Sequence, residues 1–231
     1  MKPLIVDSDF WEIFPEAQIF TLVVRDINNH TNGQNEKYQN LLNSSAEKAH
    51  NFLVEEDFKD NNVIAEWRSI FTKFKKKKGA RSSIEALLKR VSQGKDFAPI
   101  SPLVDIYNSV SLAYGVPCGG EDLENIKGTM HLGLASGGEM FYPLGSNEND
   151  PALTQEIIYY DEEGAICRSL NWRDAQRTML TDKTKNAILV IESIMPDQRN
   201  RSLEAIQELK RKIEDNLGVA GTISILSKND D

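Results

Sequence analysis

The stretch from 117 to 122 places two glycines and two carboxylates directly after a predicted helix. Gly119 and Gly120 follow Pro117, and glycines at such a position permit positive φ angles and let a ligand approach the backbone closely. If Glu121 and Asp122 begin the next helix, its first N–H groups point toward the same space. The same residues also fit a plain turn between two helices, in which the two acids favour the first helical turn. Both interpretations stay open from this stretch alone.

A second stretch, 167–187, has the densest set of polar side chains beside predicted strands. Its candidate binding residues are Asn171, Arg173, Arg177, Thr181, Asp182 and Thr184. Arginine and asparagine present several donors, which suit a carboxylate, a phosphate or a ribose. Threonine hydroxyls can hold a water or an ester oxygen. The alternative is a network of caps and salt bridges around a loop and a short helix.

The standard signatures of hydrolases, nucleotide-binding loops and zinc proteases do not occur in the sequence. His131 alternates with apolar neighbours in a predicted strand, which favours an ordinary structural role. Cys118 and Cys167 lack the spacing of metal ligands. We therefore expect no metal, no cofactor and two reduced thiols.

The elements that must position these residues follow from the pattern of apolar side chains. A β-branched run at 17–25 predicts a buried strand. Apolar residues at helical spacing predict helices over 35–55, 61–76, 82–91 and 99–115. Downstream, short runs rich in β-formers predict strands at 131–136, 139–145, 156–161, 165–170 and 186–193. A hairpin turn at 161–164, an amphipathic helix over 201–218 and a last strand at 221–226 complete an α+β fold.

Charge and length limit the classes of function. The net charge of −8 argues against a wide nucleic-acid surface, because binding to a polyanion needs an excess of basic residues. The basic run at 73–81 could still contact phosphate, or it could be a solvated helix end. No stretch approaches 18 apolar residues and the start has no signal-peptide pattern, so we expect a cytoplasmic protein without a membrane span. No linker forces a division, so residues 1–231 are predicted to form a single domain.

Several of these motifs together resemble one family. The segments SIEALLKRVSQGKDFAPISPLVDIYNSVSLAYGVPCGGEDL, YPLG and NWRDAQRTMLTDKT, with the helix at 201–217, resemble the editing domain of the phenylalanyl-tRNA synthetase beta chain, the B-three/B-four domain, in a free-standing form. The resemblance covers 82–218, and residues 1–80 are expected to be a helical N-terminal extension of the same domain. It implies that domain's fold, with a mixed or antiparallel sheet and flanking helices. The synthetase's aminoacylation signature is missing, so we do not expect the chain to charge tRNA by itself.

The resemblance implies a hydrolytic pocket that clears wrongly esterified tyrosine from phenylalanine tRNA. By likeness, Thr181 is a pocket residue, Arg173 matches a family arginine, and Asn108 matches an asparagine on the helix before the pocket loop. This chain has Cys118 and Gly119 where the family has a histidine after the proline. The family's pocket glutamate has no unambiguous counterpart, and Glu156 and Asp161 are the two candidates.

These residues predict a mechanism of deacylation in trans. An aminoacyl ester is already activated, so its hydrolysis needs mainly a positioned water and stabilisation of the carbonyl oxygen. We expect Thr181 with a backbone N–H of Gly119 or Gly120 to hold the water and the ester. The substrate-binding candidates are Asn171 and Arg173 for ribose or phosphate, Glu121 or Glu156 for the ammonium, and Asn108, Asp182 and Thr184 beside them.

Two alternatives stay open. Cys118 could act as a nucleophile. The chain could also be a non-catalytic module that binds tRNA ends, an amino acid or a protein partner, and such a partner could supply affinity for tRNA. Lysines 75–78 would discriminate between a tRNA substrate and a binding module by their place relative to the mouth of the pocket.

Overall fold

The computed structural model describes residues 3–229. The α-helices in this range are α1 (Ser8–Ile13), α2 (Asn35–Ala49), α3 (Asn62–Ile70), α4 (Ser83–Ser92), α5 (Pro102–Tyr114) and α6 (Arg199–Leu217). The strands are β1 (Leu4–Val6), β2 (Gln18–Val24), β3 (Gly119–Asp122), β4 (Met130–Leu134), β5 (Ile157–Tyr160), β6 (Ala165–Arg168), β7 (Arg173–Asp174), β8 (Ala187–Ser193) and β9 (Thr222–Ser227). Short 3-10 helices lie at His50–Phe52, Phe58–Asp60 and Pro196–Gln198. The α+β class predicted from the sequence is confirmed.

The strands form two sheets. One sheet has the order β1-β4-β5-β6-β7, in which β1 and β4 are parallel and the other pairs are antiparallel. The other sheet has the order β3-β8-β2-β9 and is antiparallel throughout. The first strand of the chain lies at the edge of one sheet and the second strand lies inside the other. The N-terminal part therefore contributes to both sheets as well as containing helices.

Strand β8 is buried along its whole length because both of its faces are covered. Ile188 and Val190 belong to the core that joins the two sheets. Leu189 and Ile191, on the opposite face, belong to a second core with helices α5 and α6. Side chains of a strand point alternately to its two faces, and here both faces meet an apolar core. The strand therefore appears in the sequence as a nearly continuous apolar run, as is usual for a strand buried on both faces.

Helices α5 and α6 end where their sequences predict. Helix α5 begins with Pro102, whose missing N–H is not needed in the first turn, and ends at Gly115 with a φ of 63°. Helix α6 ends in the same way at Gly218, which has a φ of 71°. Its buried Ile206, Leu209 and Ile213 lie at the spacing of a single helical face. Within residues 3–229, no helix is long and apolar enough to cross a membrane.

The prediction that Glu121 and Asp122 begin a helix is wrong. These residues are in strand β3, which pairs Gly120 with Leu189 of β8. A Cβ atom at position 120 would lie 2.5 Å from a methyl group of Leu189, so glycine lets the strand come close to the sheet. The turn after Pro117 therefore leads into an extended edge strand.

Other boundaries also differ from prediction, and helix α2, predicted over 35–55, ends at Ala49, where a short 3-10 helix follows. The segment 139–145, predicted as a strand, has only an isolated bridge between Pro143 and Ala175. Proline lacks the N–H that a ladder requires, and Gly145 has a φ of 79°, so the extended run cannot continue. Helix α3 ends at Ile70 instead of 76, and the chain beyond it makes turns that pack aromatic rings against the core.

Candidate functional site

A cavity of about 70 Å³ lies between the two sheets. The strand β3 and its neighbour β8 supply one wall, and strands β4 to β7 supply the other. The lining residues are Ser83, Cys118, Gly119, Gly120, Glu121, Met130, Tyr159, Cys167, Leu170, Asn171, Trp172, Asp174, Val190 and Glu192. Three of these residues carry carboxyl groups, and none of them is a lysine, an arginine or a histidine. The lining of the cavity therefore has acidic side chains and no basic ones.

Glu192 is the most buried of the three carboxyls, with 3% of its surface exposed. The Tyr159 hydroxyl donates to its Oε1 at 2.8 Å, and Asn171 Nδ2 donates to its Oε2 at 3.1 Å. Burial nevertheless raises the pKa of Glu192 to about 7, because the low-dielectric surroundings disfavour the charged form more than these hydrogen bonds favour it. A carboxyl with such a pKa can give or take a proton near neutral pH.

Glu121 is 5% exposed, and its Oε2 has no hydrogen-bond partner. Burial raises its pKa well above the ordinary value, and the nearby carboxyl of Asp174 raises it further. The Thr178 hydroxyl lies close enough to favour the ionised form, but its Oγ1 also lacks a hydrogen-bond partner. An unpaired carboxyl oxygen in a buried wall costs free energy, so this position favours a ligand or a water that completes it.

Two free thiols, Cys118 and Cys167, also line the cavity. Burial raises the pKa of both thiols well above the ordinary value for cysteine. The thiolate is the reactive form of cysteine, so a thiol with a raised pKa is a poor nucleophile at neutral pH. This environment speaks against the alternative in which Cys118 attacks the substrate.

The backbone of strand β3 presents one side to strand β8 and the other to a loop. The N–H of Asp122 donates to the carbonyl of Thr178 at 2.8 Å, away from β8. Because the direction of backbone N–H groups alternates along a strand, the N–H of Gly120 points to the same side as that of Asp122. Of the two predicted backbone donors, the N–H of Gly120 therefore points away from β8, toward the loop, and the N–H of Gly119 points toward β8.

Two of the predicted binding residues lie at the edge of the cavity. Asn171 is 9% exposed, and besides its bond to Glu192 its Oδ1 accepts from the N–H of Ser83 at 3.2 Å. This bond holds the first turn of α4 against the cavity wall. Arg173 is exposed, and its guanidinium lies 5.1 Å from the ring of Trp172, which lines the cavity. Asn171 thus borders the cavity itself, and Arg173 borders its outer wall.

The predicted residues Thr181, Asp182 and Thr184 form a loop that does not line the cavity. The Thr184 hydroxyl donates to Asp122 Oδ2 at 2.7 Å and accepts from the N–H of Thr181 at 2.9 Å. Asp182 is exposed, with a carboxyl oxygen 3.6 Å from Nδ1 of His30. The loop is therefore joined to β3 by side-chain hydrogen bonds. This is the kind of structural network that one of the two interpretations of this stretch predicts.

The two candidates for the pocket glutamate lie in ion pairs elsewhere. Glu156, which is fully buried, accepts from Arg168 Nη2 at 2.6 Å and from the Ser169 hydroxyl at 2.5 Å. Asp161 accepts from both terminal nitrogens of Arg177, at 2.5 and 2.8 Å. Neither carboxylate is among the residues that line the cavity.

Asn108 and the lysines also lie away from the cavity lining. Asn108 is half-buried on α5. The backbone of Lys75 forms an isolated β-bridge with the backbone of Glu156. The ammonium of Lys77 forms an ion pair with Asp150. His131 pairs with Asp7 through Nδ1 at 2.8 Å, in agreement with the structural role predicted for it. Within residues 3–229, no group of three or more potential ligands is arranged to hold a metal ion.

Tyr159, Asp174 and Glu192 also line the cavity, although their sequence context did not predict them as site residues. Asp174 lies in a strand of only two residues, and such a strand has no recognisable pattern. Glu192 did carry a signal, because it is the one charged residue in the seven-residue strand β8. A carboxyl within a strand buried on both faces needs a partner or a function.

The fold and the cavity define an α+β protein with two sheets that enclose an acidic site. The model of the B3/4 domain family matches residues 66–222. This match covers more than half of the chain, and the chain therefore belongs to the B3/4 domain family. The family resemblance found in the sequence motifs is confirmed.

The two other comparisons do not add a second family. No curated protein matches the chain. Among solved structures, it is similar to an N-terminal fragment of the phenylalanyl-tRNA synthetase beta-subunit from Pyrococcus horikoshii, with 14% sequence identity and a TM-score of 0.46. The similarity covers 95% of this chain and 49% of that fragment, so the chain spans about half of the fragment's length.

Proposed function

We propose that this chain hydrolyses the ester between a wrongly attached amino acid and the 3′ end of a tRNA, acting in trans. The observation that carries the proposal is the cavity between the sheets, in a chain of the B3/4 domain family. It combines a carboxyl whose pKa is about 7, a glycine strand and an unpaired carboxyl oxygen. These groups supply what hydrolysis of an activated ester requires: a proton acceptor, close backbone approach and a polar anchor.

The proton acceptor in this proposal is Glu192. A general base is most effective when its pKa is near the operating pH, and Glu192 meets that condition through burial. Asn171 and Tyr159 donate to its two oxygens and fix the orientation of the carboxyl. In this step Glu192 takes a proton from a water that attacks the ester carbonyl, the bond between that carbon and the ribose oxygen breaks, and the ribose oxygen leaves with the proton that Glu192 returns. Thr181, the donor predicted from the family resemblance, would act through the loop that holds β3.

The end of the tRNA is bound at the outer wall in this proposal. Trp172 presents an aromatic face, and such faces stack on bases without regard to sequence. Arg173 lies against the same ring and is exposed, so its guanidinium is free to contact phosphate or ribose oxygens. The overall charge of −8 makes unaided capture of a whole tRNA unfavourable. We therefore propose that the chain contacts mainly the aminoacylated end, with a protein partner supplying further affinity.

A second function is a non-catalytic module that binds an amino acid or a charged tRNA end. The raised pKa of both thiols favours this alternative, because neither thiol is activated for attack. The absence of a histidine among the residues that line the cavity favours it as well. In this case the carboxyls would hold the ammonium of the ligand without catalysing its release.

The experiment that separates the two functions is deacylation of a panel of mischarged tRNAs by the purified chain. Glu192→Gln and Glu121→Gln test the cavity, Arg173→Ala tests the outer wall, and Thr181→Val tests the residue predicted from the resemblance. Glu47→Gln, on the exposed face of α2, is a matched control for loss of a carboxylate. We expect release of one amino acid, a reduction of at least about 100-fold in Glu192→Gln because a general base is lost, and full activity in Glu47→Gln.

Each outcome has a definite meaning. If Glu192→Gln keeps full activity, Glu192 is not the base. If no tRNA in the panel is deacylated by the folded protein but a charged tRNA end binds, the chain is a binding module. If Thr181→Val loses turnover while its circular dichroism and its binding of charged tRNA are unchanged, the threonine of the family resemblance acts on the reaction.

A further inference from the structure

The basic run at 73–81 concentrates positive charge that the rest of the chain does not neutralise. Its nine residues contain six cations and no acid, in a protein with a net charge of −8. Lys77 forms an ion pair with Asp150. The other five cations form no ion pair within residues 3–229, and they are Lys73, Lys75, Lys76, Lys78 and Arg81. We call these five residues the basic strip.

The basic strip is not the end of a helix. Helix α3 ends at Ile70, and the N–H of Lys73 donates to the carbonyl of Ile70 at 3.0 Å in the turn that follows. The effect of a helix dipole falls off within the last turn, so it does not explain cations that continue to Arg81. Like charges held close together repel one another, and a polyanion that binds along them relieves this repulsion.

The backbone of the basic strip is fixed at several points. The ring of Phe74 packs against that of Phe14, with 6.4 Å between the ring centroids. The backbone of Lys75 forms its bridge with Glu156. Ala80 is buried and belongs to the core that joins the two sheets. The cations alternate with these anchors, so binding of a ligand does not have to order the backbone, and the entropic cost of association is lower.

The C-terminal end of the basic strip lies at the rim of the cavity. Arg81 precedes Ser83 by two residues, and Ser83 lines the cavity and donates its N–H to Asn171. Two residues span at most about 7 Å, so the backbone of Arg81 lies close to that rim. Asn171 is followed in the chain by Trp172 and Arg173. The aromatic ring and the exposed arginine of the outer wall therefore lie near the same end of the strip.

The N-terminal end of the basic strip borders an open groove of about 440 Å³. Lys73 and Lys75 line this groove together with the polar side chains of Thr72 and Gln155, and none of the lining residues is acidic. Volumes of about 300–1,000 Å³ are usual for ligand sites, so the groove has room for a nucleotide unit. The basic strip therefore extends from this groove to the rim of the cavity.

We propose that the basic strip binds the phosphodiester backbone of RNA, in the stretch that leads to an aminoacylated 3′ end at the cavity. The choice of RNA among polyanions rests on the proposed function. A row of cations with an aromatic ring at one end is an arrangement that binds single-stranded nucleic acid without reading its sequence. Trp172 stacks on a base at the rim, Arg81 contacts the phosphates next to it, and the lysines contact phosphates farther from the 3′ end.

The test is binding of a fluorescent single-stranded RNA of about twelve nucleotides, ending in CCA, to the full chain at several KCl concentrations. For single strands, the logarithm of the binding constant falls with the logarithm of the salt concentration by about 0.7 for each phosphate contact. Five contacts give a slope of about −3.5, and the double variant Lys75→Gln/Lys78→Gln should change it to about −2.1. We also expect this variant to bind at least about tenfold more weakly at about 50 mM KCl.

The matched control is Lys37→Gln/Lys48→Gln, which removes two exposed lysines of α2. Its slope and affinity should equal those of the wild type. The side chains of Lys75 and Lys78 have no ion pair within residues 3–229, so the strip variant should fold as the wild type does, and circular dichroism checks this.

Three results would overturn the proposal. They are no binding of the RNA by the wild-type protein at low salt, an equal loss of affinity in the two double variants, and equal affinity for poly-L-glutamate of the same charge, which would assign the strip to an acidic protein segment. The RNA contains no ester, so binding through the strip without deacylation of any charged tRNA would refute only the hydrolase. Deacylation of a charged tRNA with unchanged kcat/KM in Lys75→Gln/Lys78→Gln would refute only the strip.

Discussion

Replacement of Glu192 by glutamine tests whether the carboxyl between the sheets is protonated in the folded protein. The pKa of Glu192 is raised from its ordinary value of 4.5 to about 7 by burial. Between these two pH values the folded protein holds a proton that the unfolded chain has released. The free energy of unfolding therefore falls as the pH rises from about 4.5 and levels off above about pH 7. A difference of about 2.5 in pKa corresponds to about 3 kcal/mol, at about 1.36 kcal/mol for each pH unit.

Glutamine cannot ionise, so the variant loses this dependence. We expect the free energy of unfolding of Glu192→Gln, relative to that of the wild type, to rise by about 3 kcal/mol between pH 4.5 and pH 8. The assay is urea unfolding followed by circular dichroism at about six pH values across this range. Asp105, whose pKa is raised to about 6 by burial, contributes to the pH dependence of both proteins and cancels in the difference.

The control is Glu47→Gln, which removes an exposed carboxylate on α2, away from the residues that line the cavity. A difference between Glu192→Gln and the wild type that stays flat within about 0.5 kcal/mol over the range would mean that Glu192 is ionised in the folded protein. That result would also remove the basis for its role as a proton acceptor near neutral pH.

Two further predictions concern a wall of the cavity and a buried ion pair that lies away from it. Gly120→Ala should lower the free energy of unfolding by about 1–3 kcal/mol, because a Cβ atom would lie 2.5 Å from a leucine of β8. Gly119→Ala meets open space and should cost less than about 1 kcal/mol. Urea unfolding of the two variants gives the comparison. Arg168→Met leaves the fully buried Glu156 without its cation and should cost about 3–5 kcal/mol. The double variant with Glu156→Gln should recover part of this loss, and equal stability of the single and double variants would contradict the ion-pair explanation.

The main elements could be predicted from the sequence because their signals are local. Helix α5 has a proline at its start and Gly115 at its end, and α6 repeats its apolar face at helical spacing. Strand β2 was predicted from its β-branched run. In contrast, β1 has three residues and forms only because it pairs with β4, more than a hundred residues away. No local pattern encodes such a pairing.

The cavity could be predicted only in part, for the same reason. Gly119 and Gly120 were selected because glycine lets a ligand approach the backbone, Glu121 and Asn171 were selected for their polar groups, and all four line the cavity. Their partner Glu192 was not selected, because its strand shows only that a carboxyl occurs in an apolar run. The contact of Glu192 with Asn171 depends on how the two sheets pack against each other. The roles of all these residues in catalysis or binding stay predictions.

The position of Thr181 bears on how any loss of activity should be explained. Its backbone N–H donates to Thr184, and the Thr184 hydroxyl donates to Asp122 at the end of β3. Gly120 precedes Asp122 by two residues on the same edge strand, so the loop holds the backbone that faces the cavity. A substitution in this loop can therefore reduce activity by moving β3 without any contact between Thr181 and the ester. Loss of turnover with unchanged binding of charged tRNA would point to the ester, whereas a parallel loss of that binding would point to displacement of β3.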